Sequence, residues 1–204
     1  MTGYLQLMDM SAQEVRKAVG QHYGRVASAP GERAPFPFGR DFAEAVGYPP
    51  DLLDTLPATA SASFAGVAHL WQCLELQPGQ TVIDLGCGAG LDTLIAARQV
   101  GPEGQVTGVD FSAEMATLAR TNVTAAGVSN VTVSESPVES IPLESGSLDA
   151  ALANGIFNLS PEKERVVAEI ARLLRPGGHL NAAEIVLTED IPYGERATLD
   201  DWFR

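Results

Sequence analysis

The stretch TVIDLGCGAGL at 81–91 decides the fold. The apolar run Thr81 to Ile83 leads into DLGCGAG at 84–90, and the helical pattern of Leu91 to Val100 follows without a gap. Strand, glycine turn and helix in that order make a nucleotide-binding α/β unit. Gly86, Gly88 and Gly90 let the backbone turn tightly and approach a ligand, and the helix start beyond them offers unpaired N–H groups. Asp110 ends the next apolar strand, Val106 to Val109, where a carboxylate can accept both ribose hydroxyls of a nucleoside.

The spacing of the turn separates its ligands. It reads G-x-G-x-G, not G-x-G-x-x-G. The longer form seats a pyrophosphate on the helix, so a nicotinamide-dependent dehydrogenase ranks last. The shorter form, with Asp84 at the strand end, suits a cationic nucleoside carrying an amino acid tail. Phe111 suits an apolar contact with ribose or base. Met115, one turn on, either closes the other side of that contact or joins the core with Leu118 and Ala119. Cys87 contributes backbone more than sulfur.

Strand and helix alternate from there. Strands are expected at 81–85, 105–110, 131–135, 148–153 and 179–187, and helices at 91–100, 113–126 and 161–174. Such alternation makes parallel strands joined by right-handed crossovers. Ser112 caps a helix closed by Gly127, and Ser160-Pro161 opens another that Arg175-Pro176-Gly177-Gly178 ends. Upstream, Ser11-Ala12-Gln13-Glu14 is a capping box for an amphipathic helix carrying Val15, Val19 and Tyr23, which Gly24 is expected to stop. Residues 28–60 are rich in Pro, Gly and Ala and predict an ordered loop with short helical turns, tied down by Phe36, Phe38, Phe42 and Tyr48. A further helix is expected from Phe64 to Leu76, with Val67, Leu70, Trp71 and Leu74 on one face. The expected organisation is an N-terminal extension, 1–62, capping the site, and a nucleoside-binding domain, 63–204.

Composition narrows the partners. The net charge is −13, from 26 acidic against 13 basic residues without a Lys/Arg cluster, which argues against nucleic acid. No apolar run approaches the ~20 residues that span a bilayer, and MTGYLQLMDM lacks a signal-peptide pattern, so a cytoplasmic protein is expected. Cys73 and Cys87 are read as reduced. His22 is a candidate base near neutral pH, with a cap or surface role as its plainer reading. His69 and His179 read as structural. With no H-E-x-x-H or C-x-x-C, a metal site is not expected.

The glycine turn with Asp84 and Asp110 resembles the class I S-adenosylmethionine (SAM)-dependent methyltransferases. From about 79 to 202 the chain is similar to arsenite methyltransferases and quinone-ring C-methyltransferases. The resemblance rests on PGQTVIDLGCGAGLDTLIAARQVGPEGQVTGVDFSAEM, SNV at 129–131, ANGIFNLSPEKERVVAEIARLLRPGG at 153–178 and EIVL at 184–187. HYGR at 22–25, YPPDLLDTLP at 48–57 and Gly66 echo arsenite methyltransferases more loosely. The resemblance implies a Rossmann-like sheet with helices on both faces, SAM as cofactor, S-adenosylhomocysteine as product and a small-molecule acceptor. In the family pattern Asp84 lies near the amino acid portion of the cofactor, the glycines pass beneath it and Asp110 holds the ribose. Val138 and Glu139, in SESPVES at 134–140, are candidates for the adenine end. Asn154 and Asn158 are candidates to orient the acceptor or the methionine tail, or to cap a loop. Tyr23 and its helix are implied to fold over the pocket.

Three departures stand out. Arsenite methyltransferases hold As(III) with thiolates, yet no cysteine occurs from 1 to 72 and Gly155 stands where that family carries one. Pro137 occupies the position from which many relatives receive the adenine amino group, leaving Glu135, Glu139 or backbone to serve. The family also completes its sheet with two more strands after a helix expected here from near Tyr193. The strand 179–187 is therefore expected to be an apolar edge covered by a second copy or a partner chain, unless the sequence is a piece of a longer one. A SAM-binding subunit that is itself catalytically silent is the reading from another class.

Overall fold

The computed structural model describes residues 11–28 and 36–186. In chain order these form α1 (Ala12–Ser28), α2 (Arg40–Ala45), α3 (Pro50–Asp54), α4 (Ala58–Ala62), β1 (Thr81–Leu85), α5 (Leu91–Val100), β2 (Gln105–Asp110), α6 (Ala113–Ala126), β3 (Val131–Glu135), β4 (Leu148–Asn154), α7 (Lys163–Leu173) and β5 (Leu174–Ala183). Short 3₁₀ turns lie at Leu70–Gln72 and Phe157–Leu159. Among the described residues no helix is long and apolar enough to cross a membrane.

The five strands form one parallel sheet in the order β3-β2-β1-β4-β5. Because side chains alternate across a strand, neighbouring residues serve opposite faces. Val82, Val106, Ala150 and Leu152 pack with Ala96, Ala97 and Val100 of α5 on one side. Ile83, Leu85, Val109, Ala151 and Ala153 pack with Val166, Ile170 and Leu173 of α7 on the other. Both faces of β1 and β4 are thus buried, which explains why these strands read as continuous apolar runs. The strand order reverses direction at β1, with β2 on one side and β4 on the other, and ligand crevices open at such a switch point.

The segment 36–64 is no solvated linker. Ala43, Tyr48, Leu53, Leu56, Ala60 and Phe64 form a core with Leu91, Leu94 and Ile95 of α5. Helix α1 opens with the expected capping box: the Ser11 N–H donates to Glu14 Oε2 (2.8 Å) and the Glu14 N–H to Ser11 Oγ (3.3 Å).

Four boundaries differ from the sequence reading. Helix α1 continues past Gly24 to Ser28. Gly20 and Gly24 lie where α1 meets α6: a Cβ on Gly20 would stand 3.2 Å from the Phe111 ring, and one on Gly24 3.2 Å from the Glu114 carboxylate. The glycines serve close approach here, not termination. No helix runs from Phe64 to Leu76; only Leu70–Gln72 turns. The Val67 and Ala68 N–H groups are taken by Asn154 Oδ1, at 2.8 and 3.2 Å, so tertiary bonds replace helical ones. Leu70, Leu74 and Leu76 remain in the core without a helix to carry them. Helix α7 starts at Lys163, not Pro161, because Ser160 Oγ first accepts the Glu162 N–H (3.1 Å). Strand β5 begins directly after α7, pairing Leu174 with Leu148, and resumes at His179 with Ala150 across a break in register. It ends at Ala183, and the helix expected from Tyr193 lies outside the described residues.

Candidate functional site

A cleft of ≈ 990 Å³, measured out to its open mouth, lies over the carboxyl ends of β1, β2 and β4. Its floor is the turn after β1. The N–H groups of Gly86 and Cys87 both donate to the Val109 carbonyl (2.8 and 2.9 Å), stitching the turn to β2. Gly86 has φ +68°, and a Cβ there would stand 2.3 Å from Ile156 Cγ2. Gly88 has φ +52° and nothing within 4 Å of where a Cβ would be, so this part of the floor faces open space. Gly90 is the left-handed N-cap of α5, behind the cleft lining.

Asp110 closes β2 at the cleft wall. One carboxylate oxygen accepts the Gly88 N–H (2.9 Å) and the other the Ser112 N–H (2.9 Å). Each oxygen keeps a lone pair, and the group is oriented as a two-pronged acceptor. Burial pushes its carboxyl up to about 6, against the pull of the two N–H donors.

Two further carboxylates line the cleft. Asp84 is 2% exposed and accepts from Thr93 Oγ1 (2.5 Å). Burial, and then the neighbouring Asp92 charge, push its carboxyl up. Asp92 gathers three donors: Tyr48 Oη (2.6 Å), Trp71 Nε1 (2.7 Å) and Asn154 Nδ2 (3.0 Å). Its carboxyl too is raised by burial, which outweighs those hydrogen bonds. Asn154 lines the cleft, but its amide is already engaged, with Oδ1 on Val67 and Ala68 and Nδ2 on Ala68 O (2.9 Å) and Asp92.

Apolar groups complete the lining. Phe111, Met115, Val138 and Tyr23 line the cleft, and Met115 is also buried, at 1% exposure. Tyr23 stacks on Phe36 with ring centroids 5.1 Å apart. Burial, then Asp110 and Glu184, raise its hydroxyl well above the usual range, so it remains protonated. Cys87 belongs to the lining, but its Sγ packs against β2, 3.0 Å from where a Cβ on Gly108 would stand, and burial raises its thiol; Cys73 is exposed and outside the lining. Also in the lining, Glu139 Oε1 accepts from Arg16 Nη2 (3.1 Å) and Ser160 Oγ (2.7 Å).

Besides Gly90, two sequence candidates stand outside the lining. His22 Nδ1 lies 3.1 Å from the Ala18 carbonyl on its own helix. Asn158 ties the chain after β5 to the start of α7: its Nδ2 donates to Glu184 Oε1 (3.1 Å) and the Ile185 carbonyl (2.7 Å), and its Oδ1 accepts from Lys163 Nζ (2.7 Å). Sequence reasoning passed over Asp92 and Arg16. Asp92 had a local signal, a lone acid among the apolar residues of LDTLIAA. Arg16 had none, since its partners Glu139 and Glu162 are distant in sequence. Among the described residues no three His, Cys, Asp or Glu side chains are gathered for a metal.

Comparison with known proteins adds an independent line. A family model described as a methyltransferase domain matches residues 76–204. The chain is 41% identical over 117 residues to an arsenite methyltransferase of Halobacterium salinarum, covering 57% of this chain and 30% of that protein. It is 35% identical over 108 residues to a demethylmenaquinone methyltransferase of Listeria monocytogenes, covering 52% and 45%. Among solved structures, an arsenic(III) S-adenosylmethionine methyltransferase from Chlamydomonas reinhardtii superposes with a TM-score of 0.59 at 30% identity, covering 76% of this chain and 52% of that one. The chain thus spans less than half the length of these two curated relatives.

Proposed function

The chain belongs to the methyltransferase domain family, and from that premise we propose that it binds SAM across the glycine turn and passes its methyl group to a small-molecule acceptor, releasing S-adenosylhomocysteine. One observation carries the reading. Asp110 is fixed by one backbone N–H on each oxygen, and beside it Gly88 leaves open the space that any side chain would fill. A diol-bearing nucleoside fits that pair.

Bound SAM supplies an electrophilic methyl group on a sulfonium. In this reading Asp110 accepts the ribose hydroxyls, while Asp84 and Asp92 offer carboxyl oxygens to the ammonium group of the amino acid end. Phe111, Met115 and Val138 remove water from the base and ribose, and Tyr23 covers them from α1. Displacement at a methyl group needs an aligned nucleophile and a dry site more than a strong base. That suits a cleft in which Tyr23 is held neutral and His22 points elsewhere. Asn154 acts by holding the Val67–Ala68 backbone at the cleft edge. Residues 1–62 would serve as a cap on a 63–204 core, supported by the packing of Tyr48 and Phe64 on α5. A cytoplasmic setting and no dealings with nucleic acid go with the charge of −13.

The acceptor in this reading is an organic molecule. Arsenite is the lesser alternative, since of the two cysteines only Cys87 lines the cleft. Calorimetric titration with SAM and S-adenosylhomocysteine tests the proposal: micromolar binding is expected, and absence of heat with both would refute it.

A second reading, a SAM-binding subunit completed by a partner or a second copy, is favoured by β5. Among the described residues its outer edge pairs with no strand, and Leu180, Ile185 and Val186 are 38%, 57% and 74% exposed at or just beyond it. Bare edges of this kind are ordinarily covered. Sedimentation of a single monomeric species that binds SAM and methylates an acceptor would dispose of it.

A further inference from the structure

We infer that Glu139 accepts a hydrogen bond from the amino group of the adenine base, and that Arg16 of α1 positions it to do so. The inference rests on the proposed nucleoside site.

The strand order gives the direction of the base. Asp110 ends β2, which lies between β1 and β3. A ligand whose ribose rests on Asp110 and whose amino acid end reaches Asp84, on β1, extends its base toward the segment that follows β3. That segment is fastened to the ribose site, since the Ser136 N–H donates to the Asp110 carbonyl (3.0 Å). It then closes on itself: the Ser140 N–H donates to the Pro137 carbonyl (3.2 Å) and Ser136 Oγ to the Ser140 carbonyl (2.9 Å). Pro137, Val138 and Glu139 of this turn all line the cleft, whereas Glu135 is exposed and outside the lining.

Of the three lining residues only Glu139 carries a polar side chain. Both of its donors, Arg16 Nη2 and Ser160 Oγ, fall on Oε1. Oε2 has no hydrogen-bond partner among the described residues, yet it is not one of the unpartnered atoms sealed from solvent. Arg16 is itself held from the other side by Glu162. Two donors on one oxygen, in a side chain 6% exposed, thus fix the carboxylate and leave the other oxygen as its open acceptor. An amino group that meets it makes a charge-assisted hydrogen bond. A purine with hydrogen in place of the amino group takes water from the same oxygen and returns nothing, so a site built this way rejects it.

The test compares S-adenosylhomocysteine with its 6-deamino analogue, purine riboside replacing adenosine, by calorimetry on the whole chain. The unmodified protein should bind the deamino ligand about tenfold or more weakly, the worth of one hydrogen bond to a charged group. Glu139→Ala, in which Glu162 still neutralises Arg16, should bring the two ligands within about threefold of each other. Arg16→Met keeps the carboxylate but frees it to turn, and should give a ratio between these. Each value is a ratio within one protein, so a uniform loss of folded chain cancels, and the first needs no variant. Near-equal binding of the two ligands by the unmodified chain, or a ratio unmoved by either substitution, would overturn the inference and leave the cofactor reading standing. Failure of both ligands to bind the unmodified chain would overturn the two together.

Discussion

At the scale of single residues, the carboxylates of the cleft differ in what their loss should do. Asp110 is held by backbone alone, so Asp110→Ala should leave the fold intact and weaken SAM binding about thirtyfold or more, the worth of hydrogen bonds to a charged group. Unchanged affinity in a calorimetric titration would refute the ribose assignment. Asp92 is different because Tyr48, Trp71 and Asn154 all donate to it. Asp92→Ala removes the acceptor shared by three donors, one buried and two partly buried, and should cost about 3 kcal/mol in urea unfolding, whereas Tyr48→Phe should cost about 1 kcal/mol. Equal small losses would mean that water replaces the carboxylate. The sequence made Asp110 legible and left Asp92 obscure for a physical reason. A carboxylate that ends a strand has its direction set by the strand, but one in a helix's first turn declares its partners only when Tyr48 and Trp71 arrive from distant loops.

Among the elements, the glycine turn is the most tightly fitted. Gly86→Ala adds a methyl group 2.3 Å from Ile156 Cγ2 at a positive φ, and should destabilise the chain by about 3 kcal/mol. Gly86→Ala with Ile156→Ala should recover the steric part and keep the backbone penalty of about 1–2 kcal/mol; additive losses in urea unfolding would contradict this origin. The elements most legible in sequence were those with a clear apolar period and local signals at their ends. β1, α5, β2, α6 and β3 fall on the expected residues because period, caps and Gly127 determine them locally. The segment 64–76 failed because Asn154, far along the chain, supplies partners that outbid the helix. Gly24 misled for a kindred reason: its lack of a side chain serves the neighbouring α6 and not the end of α1.

For the whole molecule, buried acids should shape the response to pH. The Asp110 carboxyl is raised to about 6 from an ordinary 3.8, so between those values the folded chain keeps a proton that the unfolded chain has lost. Its contribution, roughly 3 kcal/mol, is complete below the lower value and gone above the upper one. Asp84 and Asp92 act in the same sense. Glu162 and Glu169 are held down by hydrogen bonds from Arg165 and Arg172, and lose their contribution only as acid protonates them. The ligand-free chain should therefore melt highest near pH 5 and decline toward pH 7, with SAM, a cation, shrinking that decline. A flat melting profile between pH 5 and 7 would show that the cleft carboxylates are solvated. The two thiols give a way to watch the same cleft in time. Cys73 is exposed and Cys87 is buried in the floor, so a maleimide dye should attach to the native chain once, promptly, at Cys73. A second dye can enter only in the moments when the glycine turn lets go, which makes the slow phase of labelling a stopwatch for the breathing of the floor.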